Sequence, residues 1–396
     1  MNDTPSANRT HIGFFGLRNT GKSSLVNAVT GQDIALVSEV KGTTTDPVYK
    51  AMELLPLGPV VIIDTPGIDD EGALGELRVA RARRVLNKTD AAVLVTEAGS
   101  ELCAAEEELV GIFKAKNVPY IIAQNKCDLH TGNATAVSTA DNVLPVSAKN
   151  GANIHMLKEK IAAIANRGEP QRRLVADLIQ PLDLVVLVIP IDKAAPKGRL
   201  ILPQQQVIRD ILDSGAMAIA VRDTELKAAL SRPRLRPAMV ITDSQAFAKA
   251  AAEVPQDVPL TSFSILFARQ KGWLESAARD AAALDALKDG DKVLICEGCT
   301  HHRQCDDIGT VKLPAMIRKH TGFEPDFSFR SGGDFPDDLS PYRMVIHCGA
   351  CMLNDREMQY RSRCAADQGT PFTNYGITIA HIQGILRRSI AMFKRE

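Results

Sequence analysis

A glycine-containing loop near the start of the chain has the composition of a phosphate-binding site. Gly16 to Ser23 reads GLRNTGKS, which fits the pattern G-x-x-x-x-G-K-[ST] and follows the apolar run HIGFFG. Glycines let the backbone curl so that successive N–H groups point at phosphate oxygens, and a helix that begins near Lys22 adds its positive N-terminal end. We expect Lys22 to contact the β- and γ-phosphates and the Ser23 hydroxyl to bind Mg²⁺. The residues predicted to bind nucleotide in this loop are Gly16, Asn19, Gly21, Lys22, Ser23 and Ser24.

Two further segments have residues suited to the same metal ion and to the γ-phosphate. The sequence DTPG, which begins at Asp64, closes an apolar strand. We expect the Asp64 carboxylate to hold Mg²⁺ through water and the Gly67 amide to contact the γ-phosphate. The polar stretch GTTTD lies between the two motifs, and of its threonines we favour Thr44 as the residue that completes the Mg²⁺ shell. Such a segment is ordered by the γ-phosphate and released after hydrolysis.

A second pair of motifs predicts which base is bound. Asn125, Lys126, Cys127 and Asp128 follow a further apolar run, and the Asp128 carboxylate can accept hydrogen bonds from N1–H and the exocyclic amine of guanine. Adenine has the wrong donor pattern there, and a site of this kind can reject the wrong partner by about 10⁴-fold. The sequence SAK follows the run VLPV, where a backbone N–H can bind the guanine O6 and a lysine stem can cover the base. GTP is therefore the predicted nucleotide, with Asn125, Lys126, Asp128, Ser147, Ala148 and Lys149 as its base-binding residues.

Cysteines and histidines are concentrated in the last quarter of the chain. Cys299 and His301 form C-x-H, and His347, Cys348 and Cys351 form H-C-x-x-C. Three thiolates and two imidazoles suffice for a metal site, and both tetrahedral zinc and an iron-sulfur cluster accept Cys-x-x-Cys hairpins. Cys296 makes a second C-x-x-C with Cys299, which is typical of a zinc ribbon, although the spacing to Cys348 is long for one.

Alternating apolar and helix-like stretches must position these motifs. From His11 to Ala165 the alternation predicts an α/β sheet domain, and the polar stretch NRGEPQRR reads as a linker. A second alternating series predicts a small, mostly parallel sheet without a phosphate loop, most simply a structural or oligomerisation module. WLESAARDAAALDAL reads as a connecting helix, after which cysteine, histidine and acid replace aliphatic periodicity. The predicted domains are a G domain over 1–168, an α/β dimerisation domain over 169–271 and a metal-binding domain over 272–396.

Composition excludes several classes of function. Lys plus Arg and Asp plus Glu both number 47, so no chain-wide basic field attracts nucleic acid or anionic lipid. Aromatic residues make up 5% of the chain, with one Trp, which leaves few platforms for base stacking. The start lacks the apolar segment of a secretory signal, and the longest apolar run, Leu184 to Ile191, is far short of the ~20 residues that span a bilayer. We expect a cytoplasmic protein with reduced thiols and neither nucleic acid nor membrane as a partner.

The nucleotide motifs resemble those of the translation-factor-like class of GTPases, in the branch with an asparagine before T-G-K and a GTT segment as first switch. In that branch an asparagine at the place of Asn19 helps to hold a potassium ion that acts like an arginine finger. The resemblance implies potassium-stimulated hydrolysis, with Lys22, Asn19, Thr44 and Gly67 as catalytic residues. Ile68 stands after DTPG, so the water-positioning glutamine of Ras-like proteins is absent, and we expect slow intrinsic turnover.

Nearly the whole chain resembles the maturation GTPases of iron-only (FeFe) hydrogenases. The resemblance lies in the order of its parts: a GTPase region, then an α/β module containing IDKAAPKGRLILPQQQ, and then C-x-H and H-C-x-x-C. The resemblance implies a 4Fe-4S cluster held by Cys299, Cys348 and Cys351, with His301 or His347 as a candidate fourth ligand. It also implies a homodimer that carries a transient diiron subcluster of the H-cluster. The implied partners are the FeFe-hydrogenase apoprotein and the radical-SAM maturation enzymes.

A rival interpretation is a ribosome- or tRNA-associated GTPase of the same branch whose C-terminal part is stabilised by zinc. Zero net charge and few aromatics count against it. A redox protein with an exchangeable cysteine pair is a weaker alternative, because no thioredoxin-like pattern surrounds C-x-x-C. The remaining cysteines and histidines are interpreted as incidental: Cys127, Cys296, Cys305, Cys364, His302, His320 and His381.

Overall fold

The computed structural model describes residues 4–31, 47–67, 82–129, 141–165, 172–191, 200–232, 235–298 and 307–393. The chain forms two compact units, Met1–Pro170 and Gln171–Glu396. Strands and helices are numbered here along the described residues. The finer domain boundaries expected at residues 168 and 271 stay predictions.

The first unit contains a six-stranded sheet in the order β2-β3-β1-β4-β5-β6, parallel throughout except for the antiparallel edge pair β2 and β3. Its strands are β1 (Thr10–Gly16), β2 (Val48–Leu54), β3 (Gly58–Asp64), β4 (Ala91–Glu97), β5 (Tyr120–Asn125) and β6 (Val143–Pro145), and its helices are α1 (Lys22–Thr30), α2 (Ala104–Ala115) and α3 (Ile154–Ala165). Two apolar cores cover the sheet: Phe14 packs in one with Leu25, and Phe15 in the other with Phe113. Burial on both faces explains why the central strands read as continuous apolar runs.

A four-stranded parallel sheet in the order β10-β9-β7-β8 forms the first part of the second unit. Its strands are β7 (Leu184–Val188), β8 (Met217–Val221), β9 (Met239–Thr242) and β10 (Leu260–Ser262), and its helices are α4 (Leu202–Asp213), α5 (Leu226–Leu230), α6 (Phe247–Glu253) and α7 (Phe263–Gln270). The central strand β9 is buried along its length, and β7 is buried from Val185 to Val188. This sheet confirms the parallel α/β module predicted from the second alternating series.

A second four-stranded parallel sheet follows, in the order β12-β11-β13-β14. Its strands are β11 (Lys292–Glu297), β12 (Asp326–Ser331), β13 (Met344–His347) and β14 (Phe372–Asn374). The accompanying helices are α8 (Leu274–Asp280), α9 (Leu313–Thr321), α10 (Asp355–Asp367), α11 (Tyr375–Ile382) and α12 (Leu386–Ile390), with a 3-10 segment at Ala281–Ala286. The sequence analysis saw no aliphatic pattern in this region, yet β11 and β13 are buried aliphatic strands. They were missed because they are short and lie between polar segments. The predicted connecting helix divides into α8 and the 3-10 segment.

The two four-stranded sheets are built on one plan. In each, the first strand lies between the second and the third, and the fourth pairs with the third. The third strands have nearly the same sequence, MVIT in β9 and MVIH in β13. The helix after each fourth strand is capped alike: the Ser262 side chain accepts from the amide of Ile265, and the Asn374 side chain accepts from the amide of Ile377. Two copies of a small α/β fold therefore lie in tandem.

The backbone contact that follows the third strand is also the same in both sheets. The amide of Asp243 donates to the carbonyl of Val188 at 3.1 Å, and the amide of Cys348 donates to the carbonyl of Cys296 at 2.8 Å. Cys348 therefore takes the place in the third sheet that Asp243 takes in the second. In open parallel sheets of this order, ligands bind at the carboxyl ends of the strands where the order reverses, here between β11 and β13.

Among the described residues, no helix has the length and apolar character needed to cross a membrane.

Candidate functional site

The predicted phosphate loop connects the carboxyl end of β1 to the start of α1. Two of its glycines have no room for a side chain, and both also have a positive φ. Gly21 has φ 80°, and a Cβ there would lie 2.3 Å from Nδ2 of Asn125. A Cβ on Gly16 would lie 2.3 Å from the carbonyl oxygen of Val95 on the neighbouring strand. Asn19 is exposed in the left-handed region, at φ 61°, a conformation that asparagine tolerates better than most residues.

The side chains predicted to hold Mg²⁺ lie next to one another. Ser23 Oγ donates to Asp64 Oδ2 at 2.9 Å, and Lys22 Nζ lies 3.7 Å from Asp64 Oδ1. Burial raises the pKa of Asp64, while the Lys22 charge and the Ser23 hydroxyl act in the opposite direction. Within the described parts of the chain, the buried Oδ1 atom has no hydrogen-bond partner. A hydrated divalent cation fits this corner, because it supplies both a positive charge and donors for the carboxylate oxygen.

The loop after β3 passes close to the phosphate loop. Thr65 Oγ1 donates to the carbonyl of Phe14 at 2.7 Å, which fixes the start of this loop against β1. A Cβ on Gly67 would lie 2.9 Å from the backbone nitrogen of Arg18. The Gly67 backbone is therefore next to the phosphate loop, as a γ-phosphate contact requires. Thr44, the other predicted switch residue, lies outside the described residues.

The predicted base-binding residues follow β5 and β6. Ser147 Oγ donates to Asp128 Oδ1 at 2.6 Å, and this hydrogen bond holds the pKa of Asp128 below its usual range. Asn125 Nδ2 donates to the carbonyl of Thr20 at 2.9 Å, and its Oδ1 accepts from the amide of Ala148 at 3.0 Å. Asn125 thus connects the phosphate end of the site to the base end. An ionised Asp128 at that end can accept the two donors of guanine.

Lys126 and Lys149 complete the predicted base site. Lys126 has φ 63°, and its Nζ lies 3.3 Å from a carboxylate oxygen of Glu97. Lys149 is exposed in the turn after Ser147. The covering of a bound base by the stem of Lys149 stays a prediction.

The described cysteines of the predicted cluster site lie in the loop after β13. Cys348 Sγ accepts from the amide of Gly298 at 3.1 Å and from the amide of Ala350 at 3.3 Å. Ala350 has φ 56°, which turns the backbone back toward the sulfur. Cys351 is half-buried against the core of the second sheet. Amide donors to a cysteine sulfur favour its thiolate form, the form that binds metals. Cys299 and His301 lie outside the described residues.

His347 was predicted as a candidate fourth ligand, and both of its ring nitrogens already have partners. Arg361 Nη1 lies 3.0 Å from Nε2, and the carbonyl of Cys348 lies 3.0 Å from Nδ1. Because a guanidinium can only donate, Nε2 accepts and the proton belongs on Nδ1. The ring is fully buried, and burial, with the Arg361 charge as the next cause, lowers the pKa of His347 to about 3. A neutral imidazole with a hydrogen-bond partner at each nitrogen supports the loop that carries Cys348, and it would have to give up one of these contacts to bind iron.

Two cysteines interpreted as incidental are in the described parts of this region. Cys296 is fully buried in β11, and burial raises the pKa of its thiol to about 12. Cys364 Sγ on α10 lies 3.6 Å from the carbonyl of Asp337. A buried neutral thiol is a poor ligand, which agrees with the exclusion of Cys296 from the predicted cluster.

One group of residues was missed by sequence reasoning. Asp285, His320 and His381 were not predicted to be functional, yet the structure brings their side chains together. The three residues are widely separated in sequence and belong to three different elements, so no spacing pattern could have connected them.

This arrangement defines a P-loop GTPase domain: β1 leads into the phosphate loop and α1, and the predicted base-binding residues follow β5 and β6. The family model of the 50S ribosome-binding GTPase matches residues 11–126. The model of the Hydrogen maturase F dimerization domain matches residues 174–272, and that of the Hydrogen maturase F tetramerization domain matches residues 275–392. These two models together cover more than half of the chain. The chain belongs to the Hydrogen maturase F (HydF) family, the hydrogenase maturation GTPases.

Curated relatives match part of the chain. GTPase Der of Wolinella succinogenes is 32% identical over 177 residues, which are 41% of this chain and 37% of Der. The tRNA modification GTPase MnmE of Paraburkholderia xenovorans is 33% identical over 156 residues, 38% of this chain and 33% of MnmE. GTPase Era of Heliobacterium modesticaldum is 28% identical over 189 residues, 43% of this chain and 63% of Era. The chain thus spans about a third of the length of Der and MnmE.

Solved structures give a weaker likeness. Era from Aquifex aeolicus bound to GDP.AlF4- has a TM-score of 0.36 and 19% identity, covering 61% of this chain and 97% of Era. A probable GTP-binding protein, engB, has a TM-score of 0.33 and 24% identity, covering 40% of this chain and all of engB. Membership of the family rests on the sequence models alone.

Proposed function

We propose that this protein hydrolyses GTP and serves as an iron-sulfur scaffold that assembles the diiron subcluster of the H-cluster or delivers it to apo FeFe-hydrogenase. The observation that carries the scaffold part is the environment of Cys348. Its sulfur accepts two backbone amides at the adjoining carboxyl ends of β11 and β13, the position where parallel sheets of this order bind ligands.

Hydrolysis is assigned to the residues around the phosphate loop. Phosphoryl transfer to water needs positioning and charge neutralisation, with no covalent intermediate on the protein. Lys22 neutralises charge on the β- and γ-phosphates, and Ser23 and Asp64 hold Mg²⁺. Gly67 contributes an amide beside the γ-phosphate. Thr44 is assigned to the Mg²⁺ shell in the GTP state.

Potassium stimulation is proposed for Asn19. The residue is exposed on the phosphate loop and has a positive φ. A monovalent cation there supplies positive charge to the β- and γ-phosphates, as an arginine finger does.

The cluster is assigned to Cys299, Cys348 and Cys351. Gly298, whose amide donates to Cys348 Sγ, is the residue before Cys299 in the sequence, so chain connectivity favours a shared site. When bound, a 4Fe-4S cluster with three protein thiolates supplies an iron that can accept an external ligand. Of the two imidazoles predicted as fourth ligands, we assign that role to His301, because both nitrogens of His347 have partners.

Self-association is part of the proposal. The two C-terminal family models are named for dimerization and tetramerization. We propose a homodimer as the working unit, with the FeFe-hydrogenase apoprotein and the radical-SAM maturation enzymes as transient partners. A cytoplasmic location is proposed with it.

Anaerobic reconstitution with iron and sulfide, followed by metal analysis and electron paramagnetic resonance, tests the proposal. A brown protein with about four irons per chain and a reduced-cluster signal is the expected result. A colourless protein that contains zinc and no sulfide would instead favour the zinc-containing ribosome- or tRNA-associated GTPase. The electron paramagnetic resonance spectra of His301→Ala and His347→Ala then decide which imidazole is the iron ligand. The spectrum should change in the variant that has lost the ligand.

A further inference from the structure

Three elements of the third sheet's domain bring a carboxylate and two imidazoles to one place. Asp285 lies in the 3-10 segment that follows α8, and His320 and His381 lie in the last turns of α9 and α11. No element supplies more than one member of the group. Asp285 is separated from His320 by 35 positions and from His381 by 96.

The carboxylate lies between the two rings. Asp285 Oδ1 is 2.7 Å from Nε2 of His320, and Oδ2 is 2.9 Å from Nε2 of His381. The two ring centroids are 6.0 Å apart and the planes are nearly perpendicular, at 72°. One ligand atom from each residue can be chosen such that all three lie within 4.8 Å of one another.

The group is accessible to solvent yet anchored. The side chains of His320 and His381 are 26% and 20% exposed, so most of each ring is packed, whereas that of Asp285 is 54% exposed. Packed rings hold their nitrogens in place, and the exposed side leaves an approach for a small hydrated ion. Two imidazoles and one carboxylate are the ligands of several catalytic zinc sites and of non-haem iron(II) sites, which keep an open position for water.

We propose that Asp285, His320 and His381 form a binding site for a divalent transition-metal ion, with Zn²⁺ as its reference ligand. The ion takes the place now held by the two hydrogen bonds to the carboxylate, and the three side chains become its ligands, with water in the open position. The site is separate from the cysteine site, because α11 begins beside the strand ends that carry the cysteines and His381 lies in its last turn, about 10 Å further along.

Such an ion has a structural consequence for this domain. The ion cross-links the 3-10 segment, α9 and α11, and each cross-link closes a long loop of chain. Because the ion binds the folded state, it raises the melting temperature by mass action. Its affinity depends on three residues that take no part in the proposed nucleotide and cluster sites.

Cobalt binding tests the site on the full-length protein. Co²⁺ reports its ligands by visible absorption, and a site of nitrogen and oxygen ligands lacks the intense sulfur-to-cobalt charge-transfer band that cysteines give. We expect wild type to bind one Co²⁺ of this kind per chain, displaceable by Zn²⁺. Asp285→Asn, His320→Gln and His381→Gln should each weaken binding by more than about tenfold, because loss of a group that only hydrogen-bonds to a metal ligand already costs about 10- to 100-fold in affinity.

The control variant is His155→Gln, since His155 is 89% exposed on α3 and belongs to the other unit. It should bind Co²⁺ like wild type. In the presence of a chelator all variants should keep the far-ultraviolet circular dichroism of wild type, and added Zn²⁺ should then raise the melting temperature of wild type and His155→Gln alone. The proposal is overturned if wild type shows no sulfur-free cobalt site, or if the three substitutions leave that site unchanged. Asp285, His320 and His381 would then be a hydrogen-bonded group only. Three separate substitutions keep the test decisive when one of them fails to fold.

Discussion

The side-chain amide of Asn125 donates to the backbone carbonyl of Thr20 at 2.9 Å, while its oxygen accepts from the amide of Ala148. One buried side chain therefore joins the loop that binds phosphates to the loop that binds the base. The Asn in this position positions two loops and need not contact the nucleotide itself.

Replacement of Asn125 by Ala should weaken binding of GTP and GDP alike. The change leaves two backbone groups without their partner, at a cost of about 1–3 kcal/mol for each buried group, and each 1.4 kcal/mol is about a tenfold change in affinity. We expect a rise in Kd of at least about tenfold for both nucleotides, measured with fluorescent analogues. A loss confined to GTP would contradict the positioning role, because both loops are needed by GDP as well.

Asp128→Asn should change which base is preferred. Asn presents one donor and one acceptor where the carboxylate presents two acceptors, so the pairing with N1–H and the amine of guanine is lost and xanthine fits better. The measurement is the ratio of kcat/KM for xanthosine triphosphate to that for GTP, which should rise at least about tenfold. Asp141→Asn, an exposed carboxylate in the same domain, is the control. An unchanged ratio would remove Asp128 from base recognition.

Lys22→Ala should lower turnover to near the limit of detection while the proposed cluster stays intact. Loss of one preorganised positive group at the transferring phosphoryl typically lowers kcat by about 10² to 10³. The measurements are phosphate release and, on the same sample after reconstitution, the cluster's absorption. Lys114→Ala, at an exposed position of α2, should change neither. Equal loss of both signals would show that the two compact units do not fold independently.

Asn19→Gly should remove the dependence of GTP hydrolysis on potassium. Glycine adopts the φ of 61° without strain, so this change deletes the side chain and leaves the loop conformation accessible. We expect wild type to turn over faster in KCl than in NaCl at equal ionic strength, and the variant to show the slow rate in both. Asn117→Gly is a matched control, since Asn117 is an exposed asparagine with φ 50°. A wild type indifferent to the cation would refute the potassium proposal.

Serine in place of Cys299, Cys348 or Cys351 should in each case eliminate the 4Fe-4S cluster. The fully buried Cys296 is best replaced by Ala, because Ser would bury a hydroxyl in the apolar core. Cys296→Ala and Cys364→Ser should retain the iron and sulfide of wild type, measured after anaerobic reconstitution. Retention of a full cluster by any variant of the first three would contradict the ligand set.

The sequence was most informative where a motif dictates local geometry. The phosphate loop needs glycines at fixed places, and the structure gives the physical reason, since a Cβ on Gly21 would collide with Asn125. Continuous apolar runs predicted β1, β3 and β5, because strands buried on both faces need no alternation. The edge strand β2 was not predicted: most of its residues are exposed, and charged residues interrupt its apolar ones.

Contacts between distant segments could not be read from the sequence. The pairing of Arg361 with His347, which occupies one ring nitrogen of a predicted fourth ligand, joins α10 to β13. The group of Asp285, His320 and His381 depends on how two helix ends pack, and each residue alone looks like an ordinary surface residue. The likeness of the two small sheets was hidden because it lies mainly in strand order and backbone contacts.

The duplicated plan of those sheets has a consequence for the handling of cargo. The copy with Asp243 makes the turn with a carboxylate and no cysteine at that position, and the copy with Cys348 makes the same backbone hydrogen bond there. The backbone path of this turn therefore does not require a cysteine. For the proposed carrier role, this means that loading and release of a cluster need not rebuild the backbone of the turn that holds Cys348.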